Sequence, residues 1–364
     1  MKLPTVSTGD TSATPFLNTL AVETWDTWFR WREDGQLRDV TVDHTWQRVA
    51  SALSAGSAHQ AGYQRRLLDA FCAWQLLLDE RVLASAGTGV PQWSAGNLCA
   101  VLNAASFVRA PGLRHAMFDR ARFQEIAALA LQALDDAAAL ALDSAVAPPR
   151  LRLGLIGVSD ALVLLGLDYD SNEGRLQAAR IAQDLAEGGV AGSIALARDR
   201  GAGAVCDANW NTQAQRRGYP SELIRAAREH GLRQAENTAI ASHPRLASFA
   251  NGVADALDPL LGTSCSPLDG YTAAFNRPAR GASVPMLVPV RACVAAQLRL
   301  RAAMQPWIDE RIDYPLCVDR APAASEVSEW NTLAQQLDLG PLSWRFSLCA
   351  SQGAKHTDTC ATAM

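Results

Sequence analysis

The sequence carries little net charge and has no long apolar run. Its 33 Lys and Arg against 37 Asp and Glu give a formal net charge of −4 and a pI near 5.9, which argues against a large nucleic-acid-binding face. Nowhere does an apolar run reach the roughly 18 residues that a membrane-spanning helix needs. The N-terminus, MKLPTVSTGDTSATP, lacks the apolar core of a secretory signal. We therefore expect a cytoplasmic protein with no membrane or nucleic-acid partner.

Paired cysteines and metal-ligand clusters are also missing. The eight cysteines are scattered, and none forms a CxxC unit. A CxxC unit is a usual mark of a zinc site or a redox pair. In the cytoplasm these cysteines should mostly be reduced thiols. The sequence therefore predicts no metal site.

What the chain does have is a helical spacing of its apolar residues. Hydrophobic residues make up 49% and charged residues 19% of the chain, as in globular proteins. Few segments alternate like strands, so we predict a mainly α fold with a few strands. Residues 262–289, rich in Gly, Pro and Ser, should be irregular. The predicted helices begin near Asp43, cover 63–83 and 120–142, begin at Asp170 or Ser171, and cover 221–230, 291–311 and 325–337.

The most specific pattern covers residues 151–204, which read LRLGLIGVSDALVLLGLDYDSNEGRLQAARIAQDLAEGGVAGSIALARDRGAGA. This pattern predicts a glycine-interrupted apolar segment, a short turn and a long amphipathic helix. The segment resembles IGLGVMGLADLLALLGLPYDSEEA of ribonucleotide reductase large subunits, particularly those of the adenosylcobalamin-dependent kind.

Six further segments resemble the same family, and they follow the family's order along the chain. One such match would be weak, but six in order are specific. By this resemblance the chain is identified as a shortened, degenerate member of the family. The segments are 23–53, 81–89, 96–108, 118–136, 302–312 and 339–345.

The resemblance implies an architecture as well as an ancestry. It predicts a shortened remnant of the family's ten-stranded α/β barrel, together with the family's N-terminal helical region. The expected parts are a disordered N-terminus at 1–15, the N-terminal helical region at 16–90, the mostly helical barrel remnant at 91–346 and a mobile tail at 347–364.

The family's radical chemistry uses a cysteine thiyl and a glutamate in an N-x-C-x-E motif. The nearest pattern here is Asn97-Leu98-Cys99, but Val101 stands where the glutamate is needed, and valine cannot transfer a proton. A second alignment places Asn97 on the family's CNLGS segment, where Gly96 replaces a redox cysteine. On either alignment a catalytic part is missing, so Asn97 and Cys99 are candidate catalytic residues only if the reaction survives.

The family's phosphate loop and its C-terminal cysteine pair are matched less closely. The family's APTGTIS segment aligns with residues 241–247, where Pro244 replaces the central glycine and removes an N–H donor. His243 and Arg245 are the candidate residues of a remaining anion site. Cys349 and Cys360 are the candidate redox pair of the tail, although ten residues separate them.

Several of these residues also have ordinary structural interpretations. An isolated cysteine such as Cys99 is more often a small buried hydrophobe. Asp160, within the most specific segment, is read as a structural hydrogen-bond acceptor. Arg152, Arg225 and Arg228 are predicted to be surface charges. The tryptophans of residues 25–46 are predicted to belong to the core or to an interface.

Three functional hypotheses follow. The first is a catalytically deficient ribonucleotide-reductase-like protein that acts through self-association or by binding a full-length ribonucleotide reductase. The second is an active reductase or another nucleotide-dependent thiol oxidoreductase with a rearranged site, which would bind a nucleotide. The third is a binder of a small non-nucleotide anion near His243, Arg245 and Asp258. No cofactor is expected, and adenosylcobalamin would bind only if the family's activity is retained.

Overall fold

The computed structural model describes residues 16–57, 59–89, 91–142, 149–203, 206–259 and 293–346. The predicted disordered N-terminus and the whole of the predicted irregular segment at 262–289 lie outside these residues. So does the tail at 347–364, with the proposed redox pair Cys349 and Cys360.

The described residues are mainly helical, which confirms the predicted fold class at that level. In chain order the helices are α1 Thr19–Trp28, α2 Val42–Ser54, α3 Gln60–Cys72, α4 Glu80–Ser85, α5 Arg120–Leu140, α6 Val158–Leu164, α7 Asn172–Arg200, α8 Ala208–Arg216, α9 Ser221–His230, α10 Pro244–Phe249, α11 Val294–Met304 and α12 Ala324–Gln336. Short 3₁₀ turns cover Ala104–Phe107 and Gln305–Trp307.

The strands are short and form small sheets. In chain order they are β1 Arg32–Glu33, β2 Gln36–Leu37, β3 Leu76–Leu77, β4 Leu98–Asn103, β5 Val108–Arg109, β6 Met117–Phe118, β7 Leu151–Ile156, β8 Leu316–Val318 and β9 Trp344–Phe346. The largest sheet among the described residues has three strands in the order β3–β4–β7. Its strands β4 and β7 are parallel, and the chain between them contains α5.

The second helix shows how local chemistry sets an element's start. The apolar positions Trp46, Val49 and Leu53 of α2 are all buried, as the spacing predicted. The predicted cap at Asp43 was wrong, because Thr41 is the N-cap and Asp43 lies in the first turn. The carboxylate there still favours the helix, since it faces the positive end of the helix dipole.

The predicted helix at 63–83 was also wrong, because the chain turns in its middle. Helix α3 ends at Cys72, and Trp74 takes a left-handed backbone conformation with φ of 54°. The chain then enters β3, and Asp79 caps α4 by accepting the N–H of Arg81. Trp74 is buried against the rings of Trp46 and Phe249, so tertiary packing holds a bend that the helical spacing does not reveal.

Helices α5 and α7 approach closely because glycines face the contact. A Cβ atom on Gly188 would lie 2.7 Å from the Cβ of Ala127, and one on Gly192 would lie 2.8 Å from the Cα of Ala128. Real Cβ atoms do not approach that closely. The glycines therefore allow the two longest helices to pack against each other over the sheet.

The outer edge of β7 is covered by the same chain. Leu153 donates its N–H to the carbonyl of Asn237 and accepts the N–H of Ala239, at 2.7 and 3.0 Å. A second subunit is not needed to satisfy these backbone groups. Because of this contact, an exposed strand edge gives no argument for oligomerisation here.

One buried apolar cluster extends from Trp25 to Tyr314 and includes side chains from both sides of residue 90. The domain boundary predicted there stays a prediction. Among the described residues, no helix combines the length and the apolar character needed to cross a membrane.

Candidate functional site

Cys99 and His243, which the sequence offered for two different roles, lie in contact. Cys99 is the second residue of β4, and His243 is the N-cap residue of α10. The Cys99 Sγ and the His243 Nε2 are 3.5 Å apart, although 144 positions separate them in the sequence. A cysteine beside a histidine is the arrangement from which thiol nucleophiles are built.

The position of Cys99 is fixed from the side of α4. The carboxylate of Asp79 accepts the Cys99 N–H at 3.3 Å and two guanidinium N–H groups of Arg81 at 2.8 Å each. The same carboxylate caps α4. Asp79 is almost fully buried, so one carboxylate ties together the strand, the helix and an arginine.

His243 is held through its backbone by a second buried carboxylate. Asp255 accepts the His243 N–H at 2.6 Å and the Ser242 hydroxyl at 2.5 Å. Arg345 of β9 donates to Asp255 at 2.9 Å and also bonds to Asp258. The loop before α10 is thereby attached to the end of the described chain.

Burial keeps the Cys99 and His243 pair uncharged. It raises the pKa of Cys99 to about 12, with the negative charge of Asp79 adding to the effect. It also lowers the pKa of His243, although the nearby carboxylates of Asp255, Glu80 and Asp79 act in the other direction. The pair is therefore a thiol and a neutral imidazole near pH 7. The thiolate, which is the reactive form of cysteine, is strongly disfavoured.

Arg245 already has partners within the protein. Its guanidinium lies 3.7 Å from the ring centroid of Trp28 and forms an ion pair with Glu80. His243 faces Cys99 instead. The two residues of the predicted anion site thus have separate partners, and the charge of Arg245 is compensated.

The other candidate, Asn97, lies just before β4 with an exposed side chain. Its carbonyl oxygen accepts from Arg81 at 2.6 Å. Asn97 therefore contributes to the site through its backbone.

The prediction that Arg152 lies on the surface was wrong, because its side chain is buried. It lies opposite Cys99 in the β4–β7 register, is buried, and bonds through its Nε to Glu310. Arg225 and Arg228 are exposed, as predicted. Burial of Arg152 is possible because it lies on a strand whose other residues are buried and because Glu310 compensates its charge.

The tryptophans of residues 25–46 were predicted to belong to the core or to an interface, and the core is confirmed for two of them. Trp25 and Trp46 are buried in the core, whereas Trp28 is 52% exposed. Its ring carries Arg245 on one face, so it forms part of a surface rather than of the core.

Asp160 is a structural hydrogen-bond acceptor, as the sequence predicted. Its carboxylate accepts the N–H of Ala254 at 2.8 Å, in the loop that also carries Asp255 and Asp258. Burial raises the pKa of Asp160 to about 6, and it raises that of Asp258 to about 6 as well. Both carboxyl groups therefore bind protons more tightly than they would in the unfolded chain.

Sequence reasoning missed Asp79, Asp255 and Arg345, which hold the site together. Arg345 ends the matched segment 339–345, but none of the three was singled out as a site residue, and each acts through contacts with residues outside its own element. Among the described residues, no three His, Cys, Asp or Glu side chains are grouped so that they could hold a metal ion.

The chain matches no protein-family model and no curated protein. The chemistry of the described residues must therefore carry any assignment of function.

Proposed function

We propose that this protein is a ribonucleotide-reductase-like chain that does not carry out the radical reaction and acts by binding. Its partner is a second copy of itself or a full-length ribonucleotide reductase. The observation that carries the proposal is the lining of the Cys99 site, where the thiol contacts an imidazole and a buried valine, Val101, stands where the family's motif has its proton-transferring glutamate. The charged groups around it are already paired within the chain.

The surroundings of Cys99 support the loss of catalysis. Val101 is buried in the same strand, where the family's motif has a glutamate. Arg245, the cation nearest to the proposed phosphate loop in sequence, is bound to Glu80 and Trp28. Adenosylcobalamin does not fit the described residues, because its binding needs the family's barrel face and their largest sheet has three strands. We therefore propose that the protein uses no cofactor.

A role in binding is supported by apolar side chains on the first helix and the segment that follows it. Leu20, Trp28, Leu37 and Val40 are each more than two-fifths exposed, and all lie within a stretch of 21 residues. We propose that these side chains belong to one apolar patch, and contiguous patches of this kind are typical of protein interfaces. Trp28 with Arg245 stacked on it combines the two residue types that most often dominate binding energy at interfaces.

Light scattering coupled to gel filtration tests the binding role directly. Over a range of concentrations, the wild-type chain should form a dimer or larger species, and Leu20→Asp with Val40→Asp should shift it toward monomer. Leu142→Asp is the matched control, because Leu142 is equally exposed but lies after α5. If the wild-type chain is a monomer and does not bind a full-length reductase by the same method, the binding role is wrong.

An activity assay tests the catalytic part separately. The reduced protein is incubated with a nucleoside diphosphate, adenosylcobalamin and a dithiol, and deoxyribonucleotide is measured. We expect no product above the level of a Cys99→Ala variant. Product that depends on Cys99 would overturn the proposal.

A second candidate function is thiol chemistry at Cys99, and the 3.5 Å contact with His243 favours it. In this case the thiol would have to transfer its proton to the imidazole. Iodoacetamide labelling followed over pH distinguishes the candidates. A labelling rate at Cys99 that rises near pH 7 and falls in His243→Ala supports thiol chemistry. A rate that rises only in strongly alkaline solution supports the first proposal.

A further inference from the structure

A surface groove of about 480 Å³ lies away from the Cys99 site, on other elements of the fold. Its walls are the β5–β6 hairpin, the start of α5, the connection between α6 and α7, and the second and third turns of α7. A volume of this size is within the range of small-molecule binding sites.

The apolar part of the groove is held open by the backbone. Met117 of β6 is 59% exposed at one wall, and Leu165 and Leu167 lie at the other. Gly166 stands between these two leucines with φ of 73°, and Leu167 donates its N–H back to Leu162. This left-handed turn ends α6 and fixes where Leu165 and Leu167 lie. Methionine beside leucine suits an apolar group of irregular shape.

The polar part contains two arginines in different electrostatic states. Arg120 is paired with Asp184, whose side chain is fully buried, and its guanidinium makes three hydrogen bonds to that carboxylate of 2.8 to 3.1 Å. Arg180 lies one turn before Asp184 on α7 and is exposed. Within the described part of the chain, neither Arg180 nor the amide of Gln177 has a hydrogen-bond or ion-pair partner.

The groove therefore offers one uncompensated positive charge, a free amide and an apolar wall. Arg120 is already fixed by Asp184, so binding would need to order only the Arg180 and Gln177 side chains. An anion gains a charge-assisted hydrogen bond from Arg180, and an apolar body gains contact with Met117 and Leu167.

We infer that this groove binds a small organic anion, a phosphate or carboxylate that carries an apolar body. Arg180 and Gln177 hold the anionic head, and Met117 and Leu167 contact the body. The inference does not depend on the proposed function, since it uses none of the residues near Cys99 or on α1.

Another, smaller cavity on the described surface lacks these properties. It encloses about 230 Å³ beside α11 and α12, and its cation Arg320 is paired with Glu326. Asp319 also lines it. Because its carboxylates outnumber its cations, this cavity disfavours an anion.

Calorimetric titration of the full chain with 1-naphthyl phosphate tests the inference. We expect saturable binding of one molecule per chain. 1-Naphthol and inorganic phosphate, which each supply half of the ligand, should bind at least about tenfold more weakly. Binding that is equally strong for 1-naphthol, or the absence of saturable binding, would overturn the inference.

Four variants locate the site. Arg180→Ala and Gln177→Ala should weaken binding of 1-naphthyl phosphate, the first by about tenfold, while Arg180→Lys should restore most of it. Met117→Asp should also weaken it, because a carboxylate then faces the anion. Arg225→Ala on α9 is the matched control, an exposed arginine outside the groove. Circular dichroism checks that each variant folds, and equal binding by Arg180→Ala and wild type would contradict the assignment.

Competition then distinguishes two sources of the same chemistry. Displacement of 1-naphthyl phosphate by adenosine monophosphate identifies a nucleoside phosphate, and displacement by octyl phosphate identifies an alkyl phosphate or acyl anion. Either result supports the inference. Displacement by neither would limit the site to the probe and overturn the assigned class.

Discussion

The Cys99 site and the groove beside Arg180 each contain an arginine that faces solvent, but they differ in whether their charged groups have partners within the protein. Around Cys99, the charges of Asp79, Asp255 and Arg245 are all matched by other residues of the same chain. In the groove, Arg180 has no partner among the described residues. Internally paired charges stabilise a fold, whereas an unpaired cation beside apolar surface is free to bind something else.

The largest expected difference between the two regions is in stability. Asp255→Ala should lower the free energy of unfolding by about 4 kcal/mol, because it leaves the Ser242 hydroxyl and the His243 N–H without their acceptor and removes one of the two carboxylates paired with Arg345. Arg180→Ala should change it by less than about 0.5 kcal/mol, since Arg180 has no internal partner to lose. Urea denaturation of both variants measures the two effects. Similar losses in both would remove the distinction between the regions.

The pH dependence of stability tests the buried carboxyls near the Cys99 site. The pKa of Asp160 is raised from 3.8 to about 6 on folding, so its contribution to stability is full below pH 4. That contribution is lost as the pH rises through 6. Asp160→Asn keeps an oxygen acceptor for the Ala254 N–H but removes the titration.

The quantity to measure is therefore the difference in unfolding free energy between the wild type and Asp160→Asn as a function of pH. Between pH 4 and pH 7 this difference should change by about 2 kcal/mol in favour of the variant. The curve of Asp160→Asn should still slope, because Asp258 titrates over the same range. Parallel curves for the two proteins would show that Asp160 has an ordinary pKa.

The next prediction concerns the close packing of α5 against α7, the two helices that carry the arginines of the groove. Gly188→Ala places a methyl group against Ala127 and the backbone of Gln124, and it should cost about 2 kcal/mol. Gly62→Ala on α3 is the matched control, since no atom lies within 4 Å of its added Cβ, and it should stabilise by about 0.5 kcal/mol. Thermal unfolding measures both. A neutral Gly188→Ala would mean that the two helices are not closely packed.

Local patterns predicted the helices well where chemistry marks their ends. Helix α9 has the predicted bounds, 221–230, because its amphipathic spacing is interrupted by Gly231, which takes a left-handed φ of 74°. The bend at Trp74 was missed, because neither glycine nor proline marks it and only the packing of aromatic rings stabilises it.

The candidate site was only half predictable. Cys99 and His243 were each singled out by the resemblance, but their contact depends on how α10 packs beside β4, which no local pattern encodes. The burial of Arg152 was missed because its partner Glu310 lies 158 positions away. The groove was not predicted at all, because its residues come from separate elements. Arg180 stands out only because it has no ion-pair partner among the described residues, and the sequence does not show this.

The smallest expected effect on stability comes from a comparison of two arginines that both face solvent, Arg245 at the Cys99 site and Arg180 in the groove. Arg245→Ala should cost about 1 kcal/mol of stability, through loss of a surface ion pair with Glu80 and of the contact with Trp28. It should leave the affinity for 1-naphthyl phosphate unchanged, while Arg180→Ala should have the opposite pattern. Urea denaturation and calorimetry on the same two variants supply both readouts. If Arg245→Ala weakened anion binding instead, the ligand would lie at the Cys99 site, and the pairing of its charges would not prevent function there.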